Sequence, residues 1–288
     1  MKERTKPVIG IYEKALPPGL SWPRMLETAK SSGYDYVEMS IDESEARLSR
    51  LAWTASERAR FRSDVGASGL RVPSVCLSGH RKYPFGSADP SVRARAREIM
   101  ESAIGLAVDC GLRTLQLAGY DVYYEPSTPA SLERFEEGLA WAVALAEQAQ
   151  VCLAMEIMDT PLMGSITKWL RYANAIPSAW FQVYPDLGNL SAWGNNVPVE
   201  LALARGRIAA VHLKDSLAVT PDFPGQFRDL PFGRGCVDFP AAFRALDAIG
   251  YRGSYLIEMW TDKAPDPVAE IVSARAWMLE RMREGGIA

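Results

Sequence analysis

Val151-Cys-Leu-Ala-Met-Glu156 is a short apolar run that ends on a carboxylate. The arrangement recurs three times downstream: Ala179-Trp-Phe-Gln-Val-Tyr184 leads through Pro185 to Asp186, Ile208-Ala-Ala-Val211 leads to His212, and Tyr255-Leu-Ile257 leads to Glu258. Continuous apolar runs of this length read as strands of a parallel sheet buried on both faces. If such strands close into one barrel, their C-terminal ends share a face, and residues far apart in sequence meet there. Three carboxylates and one imidazole make an oxygen-rich ligand set with a single nitrogen. That set suits a divalent ion such as Mn²⁺, Mg²⁺, Co²⁺ or Zn²⁺. The chain has just two histidines, His80 and His212, and both fall at or just beyond strand ends.

Outward from these runs, apolar segments alternate with segments of helical period along the whole chain. Strands are expected at Val8–Tyr12, Tyr34–Met39, Val72–Leu77, Thr114–Leu117, Val151–Glu156, Trp180–Tyr184, Ile208–Leu213 and Ser254–Glu258. Amphipathic stretches at Ser21–Ser32, Ser56–Ala67, Ser91–Cys110, Ser131–Gln148, Ser165–Asn174, Pro198–Ala204, Phe239–Ile249 and Pro267–Arg283 lie between and after them, several opening on Ser or Pro as helices do. Eight strand and helix pairs predict a single (β/α)8 TIM barrel spanning residues 1–288, a length close to the roughly 250 residues typical of that fold. An open doubly wound sheet is the alternative. The first strand, however, runs into Glu13-Lys-Ala-Leu-Pro-Pro-Gly19 rather than a G-x-G-x-x-G turn, so a dinucleotide site has no support. Glycines in Ser32-Gly33, Ser68-Gly69, Cys110-Gly111, Arg205-Gly206 and Ile249-Gly250 are placed as left-handed helix caps. The longest irregular stretch, Lys214 to Val237, follows the seventh strand, where strand-to-helix loops build the active face of a barrel.

Composition narrows the function. With 48% hydrophobic and 23% charged residues and a net charge of -3, the chain reads as an ordinary globular protein with no basic excess to attract nucleic acid or an anionic membrane. Met1-Lys-Glu-Arg-Thr-Lys-Pro7 is not followed by a signal-peptide core, and no run approaches a membrane span, which favours the cytoplasm. Cys76, Cys110, Cys152 and Cys236 lack paired spacing and are expected as buried, reduced thiols. Trp193 and Trp260 fall just beyond ligand-bearing strands and are candidates to wall a pocket, and the aromatic content makes a homo-oligomer plausible.

Ala154-Met-Glu-Ile-Met-Asp-Thr-Pro161, Tyr184-Pro-Asp-Leu-Gly-Asn189, Val211-His-Leu-Lys-Asp215, Phe223-Pro-Gly-Gln-Phe-Arg228 and Pro231-Phe-Gly-Arg-Gly-Cys-Val-Asp-Phe239 resemble the xylose-isomerase-like TIM barrels. More narrowly, they resemble the L-ribulose-5-phosphate (L-xylulose-5-phosphate) 3-epimerases of ascorbate degradation. Tyr36-Val-Glu-Met-Ser-Ile-Asp-Glu43, Arg47-Leu-Ser-Arg-Leu-Ala-Trp53 and Ser78-Gly-His-Arg-Lys-Tyr-Pro-Phe-Gly86 extend the likeness over nearly the whole chain.

The resemblance implies an isomerase of carbohydrate metabolism acting on a small ketose phosphate, with a metal held by Glu156, Asp186, His212 and Glu258, and with Glu156 and Glu258 serving also as acid and base. Inverting carbon 3 of a 2-ketose requires removing a proton beside the carbonyl and returning one to the opposite face, which two carboxylates flanking the sugar can do. For phosphate, the loops after strands seven and eight offer Lys214, Arg228 and the Gly233-x-Gly235 backbone, and His80-Arg81-Lys82 is a second cationic candidate. His80 and Arg228 are favoured for direct sugar contact, Glu38 for orienting one of them, and Asn189 stands where related free-sugar ketose 3-epimerases carry a His. Those enzymes also carry an Arg shortly after the metal His, where this chain has Ser216 to Val219. An aldose–ketose isomerase, a free-ketose 3-epimerase and a metal-dependent dehydratase remain alternatives, separated by their products. Endonucleases of the same barrel type need many more histidines than two. A barrel that only binds its ligand would leave the four strand-end ligands without a purpose.

Overall fold

The structure, a computed structural model, describes residues 6–288; the charged start through residue 5 lies outside the described residues. Eight strands form one sheet: β1 (Ile9–Tyr12), β2 (Tyr36–Ile41), β3 (Ser74–Leu77), β4 (Thr114–Ala118), β5 (Cys152–Glu156), β6 (Phe181–Tyr184), β7 (Ala210–Leu213) and β8 (Ser254–Ile257). Neighbours pair in parallel in the order β6-β5-β4-β3-β2-β1-β8-β7. Parallel bridges Val183↔Ile208 and Asp186↔His212 close the ring between β6 and β7. The His212 N–H donates to Pro185 O at 2.9 Å across that seam, so Asp186 and His212 face each other where the barrel shuts.

Ten α-helices among the described residues lie between the strands or, for the last, after β8: α1 (Trp22–Ser31), α2 (Glu45–Leu48), α3 (Ala55–Ser68), α4 (Pro90–Cys110), α5 (Pro129–Gln148), α6 (Ile166–Ala175), α7 (Leu187–Ala192), α8 (Val197–Leu203), α9 (Phe239–Ala248) and α10 (Pro267–Glu284). Eight match the expected helices to within about a residue or two; α2 and α7 are too short to show a helical period in sequence. The five cap glycines all hold positive φ, from 70° to 87°. Strand ends moved in two informative places. β3 starts at Ser74 rather than Val72, because Pro73 has no N–H to give the ladder. β2 runs on to Ile41, two residues beyond the expected end, which lowers Glu38 from the rim into the barrel.

Side chains alternate along each strand, so every strand serves two cores. Outward residues pack under the helices with Leu26, Phe61, Ile99, Phe135, Trp169, Phe243 and Met278, and burying one Leu, Ile or Phe contributes about 1.5–3 kcal/mol. Inward residues form smaller groups, Tyr12, Tyr36, Cys76 and Leu256 on one side and Ala154, Tyr184 and Ala210 on the other. The Tyr36 ring fills the space beside Gly10, where a Cβ would stand 2.3 Å from it. The expectation of buried thiols holds for Cys76 alone: Cys110 and Cys152 are half-buried and Cys236 is exposed, although all four are free. Cys236 sits in the long loop after β7, outside any apolar run. Among the described residues, no helix is long and apolar enough to cross a membrane.

Candidate active site

At the C-terminal mouth of the barrel, ligand atoms of Glu156, Asp186, His212 and Glu258 lie within 4.8 Å of one another, the one such group among the described residues. His212 Nδ1 is at the centre, 2.9 Å from Glu156 Oε1, 3.5 Å from Glu258 Oε2 and 3.7 Å from Asp186 Oδ2. Each side chain is aimed by its own element. Glu156 is the last residue of β5, and its second oxygen accepts a hydrogen bond from Gln116 of β4. Asp186 is the N-cap of α7: its Oδ1 accepts the Asn189 N–H at 2.7 Å, which leaves Oδ2 facing the cluster. Behind His212, Glu38 Oε1 lies 3.4 Å from Nε2, while Oε2 accepts from Ser74 Oγ (2.6 Å) and Tyr184 OH (3.1 Å). An outer carboxylate on the far ring nitrogen holds an imidazole in the orientation a metal ligand needs.

The electrostatics suit a cation. Burial pushes the Glu156 carboxyl above the usual range, and the Glu258 charge adds to this against the pull of His212 and Lys214. Burial also works against the charge on Asp186, but Lys214 and His212 outweigh it and hold that carboxyl low. His212 likewise resists burial because Glu156 and Glu258 keep it well above its ordinary value. Lys214 Nζ stands 3.0 Å from both Asp186 Oδ2 and Glu258 Oε2 and forms an ion pair with each. Four buried carboxylates, Glu38, Glu156, Asp186 and Glu258, face Lys214 and His212 as the positive groups of the cluster, and a buried excess of negative charge is costly unless a further cation joins it. The donor set therefore fits a divalent metal.

A narrow cleft above the cluster is lined by Tyr12, Lys14, Arg81, Tyr120, Asp159, Phe227, Arg228 and Trp260 among others. It adjoins a cavity of about 480 Å³ that shares Lys214, Arg228, Glu258 and Trp260 with it. Arg228 lies with its guanidinium 4.7 Å over the Trp260 ring, and Asn189 lines the cleft with its Oδ1 unpartnered. Trp193 is not part of the wall; its Nε1–H bonds Met158 O at 3.2 Å.

Two expected sugar contacts stand elsewhere. His80 is buried beneath the loop after β3, with Nε2 on Ala96 O at 3.1 Å and its ring 4.8 Å from Phe85. Burial depresses its pKa to about 4, so it is a neutral packing residue there. Its neighbour Arg81 points the other way, into the cleft, over the Tyr123 ring at 4.8 Å, with its Nε–H buried and unpartnered. Glu38 is fully buried and orients His212, not His80 or Arg228. Gln116 and Tyr12 were not expected from sequence, whereas Arg81 was, as part of the cationic His80-Arg81-Lys82. Gln116 carried a signal, a polar residue within the otherwise apolar Leu115-Gln-Leu117 of a strand.

The family described as Xylose isomerase-like TIM barrel matches residues 26–281. A putative L-ribulose-5-phosphate 3-epimerase, SgbU of Escherichia coli (strain K12), is 59% identical over 278 residues, 96% of this chain and 97% of that one. The chain belongs to the L-ribulose-5-phosphate 3-epimerase family. The L-ribulose-5-phosphate 3-epimerase UlaE of Shigella sonnei (strain Ss046) is 52% identical over 96% of each chain. As a member of that family, the chain is an isomerase of the epimerase class. In fold, it matches a solved L-ribulose 3-epimerase with a TM-score of 0.74 at 22% identity, over 98% of this chain and 96% of that one. A D-psicose 3-epimerase from Clostridium cellulolyticum H10 matches with a TM-score of 0.77 at 14% identity, over 95% and 99%.

Proposed function

We propose that this L-ribulose-5-phosphate 3-epimerase family member interconverts L-xylulose 5-phosphate and L-ribulose 5-phosphate with a divalent metal held by Glu156, Asp186, His212 and Glu258. The observation that carries the reading is the convergence of two glutamates, one aspartate and one histidine within 4.8 Å beneath a cleft. When bound, the metal supplies a Lewis acid that stabilises negative charge on the substrate's C2 and C3 oxygens.

The chain's own residues do the proton work. Glu156 ends β5 and Glu258 directly follows β8, strands separated by β6 and β7 on one side of the ring and by β4 to β1 on the other, so each addresses a different face of a sugar between them. One removes the C3 proton and the other returns a proton to the opposite face; in the reverse reaction their roles exchange. Gln116 and His212 hold Glu156 in place, and Glu156, with its carboxyl raised by burial, is able to keep a proton as well as give one up. Lys214, buried against Glu258, adds a fixed positive charge beside the place where enediolate charge develops. Arg81 and Arg228, neither of them ion-paired among the described residues, face the cleft as donors for the phosphate end.

The test is to incubate manganese-loaded protein with L-xylulose 5-phosphate in deuterated water and follow the product by NMR. L-ribulose 5-phosphate carrying deuterium at carbon 3 is expected. Deuterium at carbon 1 would instead identify an aldose–ketose isomerase, and turnover of free ketoses alone would remove the phosphate from the substrate.

A further inference from the structure

The long segment after β7 folds over the site although its own sequence is rich in Pro and Gly. Its first half is a small hairpin, with Leu217 bridged to Gln226 and Thr220 to Phe223. Its return strand carries Phe227 and Arg228 past the cleft before reaching α9. Both ends of the segment meet at one side chain. Asp215 Oδ2 accepts the backbone N–H groups of Gly233 and Gly235, each at 2.9 Å, and Oδ1 accepts those of Ser216 at 3.0 Å and Val237 at 3.4 Å. Asp215 is buried, and among the described residues it has no ion pair. Its charge is balanced by these backbone donors, which as charge-assisted bonds are stronger than neutral ones. Gly235 leaves no slack: a Cβ there would stand 2.1 Å from Asp215 Oδ1 and 2.4 Å from Ser216 O.

We propose that Asp215 is a positioning residue that clamps the two ends of the 216–237 segment together and thereby sets Arg228 over the substrate. The inference rests on the proposed epimerase reading for what Arg228 does, but not for the clamp itself. The Asp215 carboxylate hydrogen-bonds the backbone of its own segment and none of the four proposed metal ligands, so loosening the clamp should leave the metal centre intact. What should change is how the substrate is held.

Asp215→Ala removes all four acceptor contacts. Asp215→Asn keeps one oxygen and puts an amide NH₂ against one pair of donors. Gly235→Ala attacks the same contact from the other side. In each variant, limited trypsin digestion should cut sooner after Arg228 and Arg234, which both lie in the segment. Manganese affinity, titrated calorimetrically, should stay within about twofold of wild type, while KM for L-xylulose 5-phosphate rises by about tenfold or more and kcat falls less. Asn should fall between wild type and Ala. Adding Arg228→Ala to Asp215→Ala should cost little beyond the larger single effect, since residues acting through one contact are not additive.

Unchanged trypsin cleavage would overturn the clamp whether or not the protein epimerises anything. Multiplying effects of Asp215→Ala and Arg228→Ala would overturn the link to Arg228, and so would loss of manganese binding along with the rise in KM. Wild type that orders the segment but does not turn over the sugar phosphate would fail the functional reading alone.

Discussion

Glu38→Gln replaces one buried oxygen with an amide nitrogen and should weaken the proposed metal centre from behind. Oε2 of Glu38 receives the Ser74 and Tyr184 hydroxyls at 2.6 and 3.1 Å, and Oε1 faces His212 Nε2 at 3.4 Å. A carboxylate serves all three, because both of its oxygens accept. An amide cannot. Turned with its NH₂ to the two hydroxyls, it takes from both hydroxyl hydrogens the acceptor they have in Glu38; with its oxygen kept there, its NH₂ faces His212 Nε2. Two hydrogens then oppose each other unless the ring proton moves to Nδ1, the nitrogen 2.9 Å from Glu156 and central to the cluster. The variant must give up the hydroxyl bonds or hold His212 in the tautomer that cannot bind a cation. Losing such an outer partner costs roughly 10–100-fold in metal affinity, about 1.4–2.7 kcal/mol. A hydrogen bond to a charged group is independently worth about 1.5–3 kcal/mol, which agrees. Calorimetric titration of metal-free protein with manganese reads the affinity. Selective ¹⁵N labelling of histidine, at a pH high enough for the His212 ring to be neutral, reads the tautomer, since the chain has two histidines and buried His80 serves as the internal reference. Affinity within about twofold of wild type, or weakened binding with the His212 tautomer unchanged, would refute the reasoning.

Glu156→Gln and Glu258→Gln should each reduce kcat by at least about a hundredfold, the lower end of what a positioned acid or base contributes; near-normal turnover in either, with metal bound, would sink the two-carboxylate scheme. Chelation should abolish turnover, and restoring manganese to about 100 times its Kd should stabilise the fold by about 2.7 kcal/mol, seen as a rise of several degrees in Tm. His80 should make stability depend on pH. Its folded pKa of about 4 lies below its ordinary 6.5, so the unfolded chain binds the proton first; the stabilisation is complete above 6.5 and is lost as pH falls toward 4. The loss is about 3 kcal/mol by linkage, and denaturant unfolding of wild type against His80→Gln across that window should isolate it, with no difference in slope counting against the burial argument.

Several site residues were legible in sequence because strand ends are. An apolar run buried on both faces must stop where polar side chains begin, and that stop marks the barrel mouth. Glu156 at the end of β5 was readable for this reason. Glu38 was expected to orient His80 or Arg228, and its depth was not readable: an error of two residues in the end of β2 amounts to about 6.6 Å along a strand, enough to take a side chain from the rim to the interior. His80 and Arg81 share a short 3-10 turn and point to opposite sides of it, which neighbouring letters in a sequence do not reveal.

The order of strands and helices, the four polar residues at strand ends and the glycine caps followed from the chain alone, because each depends on local periodicity, on backbone sterics, or on where an apolar run ends. Which atoms meet was settled by tertiary structure. Closure at the β6–β7 seam brings Asp186 to His212, the depth of β2 puts Glu38 behind the imidazole, and the folding back of a Pro- and Gly-rich loop gathers four backbone N–H groups on Asp215. Each is a contact between segments distant in the chain or across an irregular loop, and no local preference specifies it.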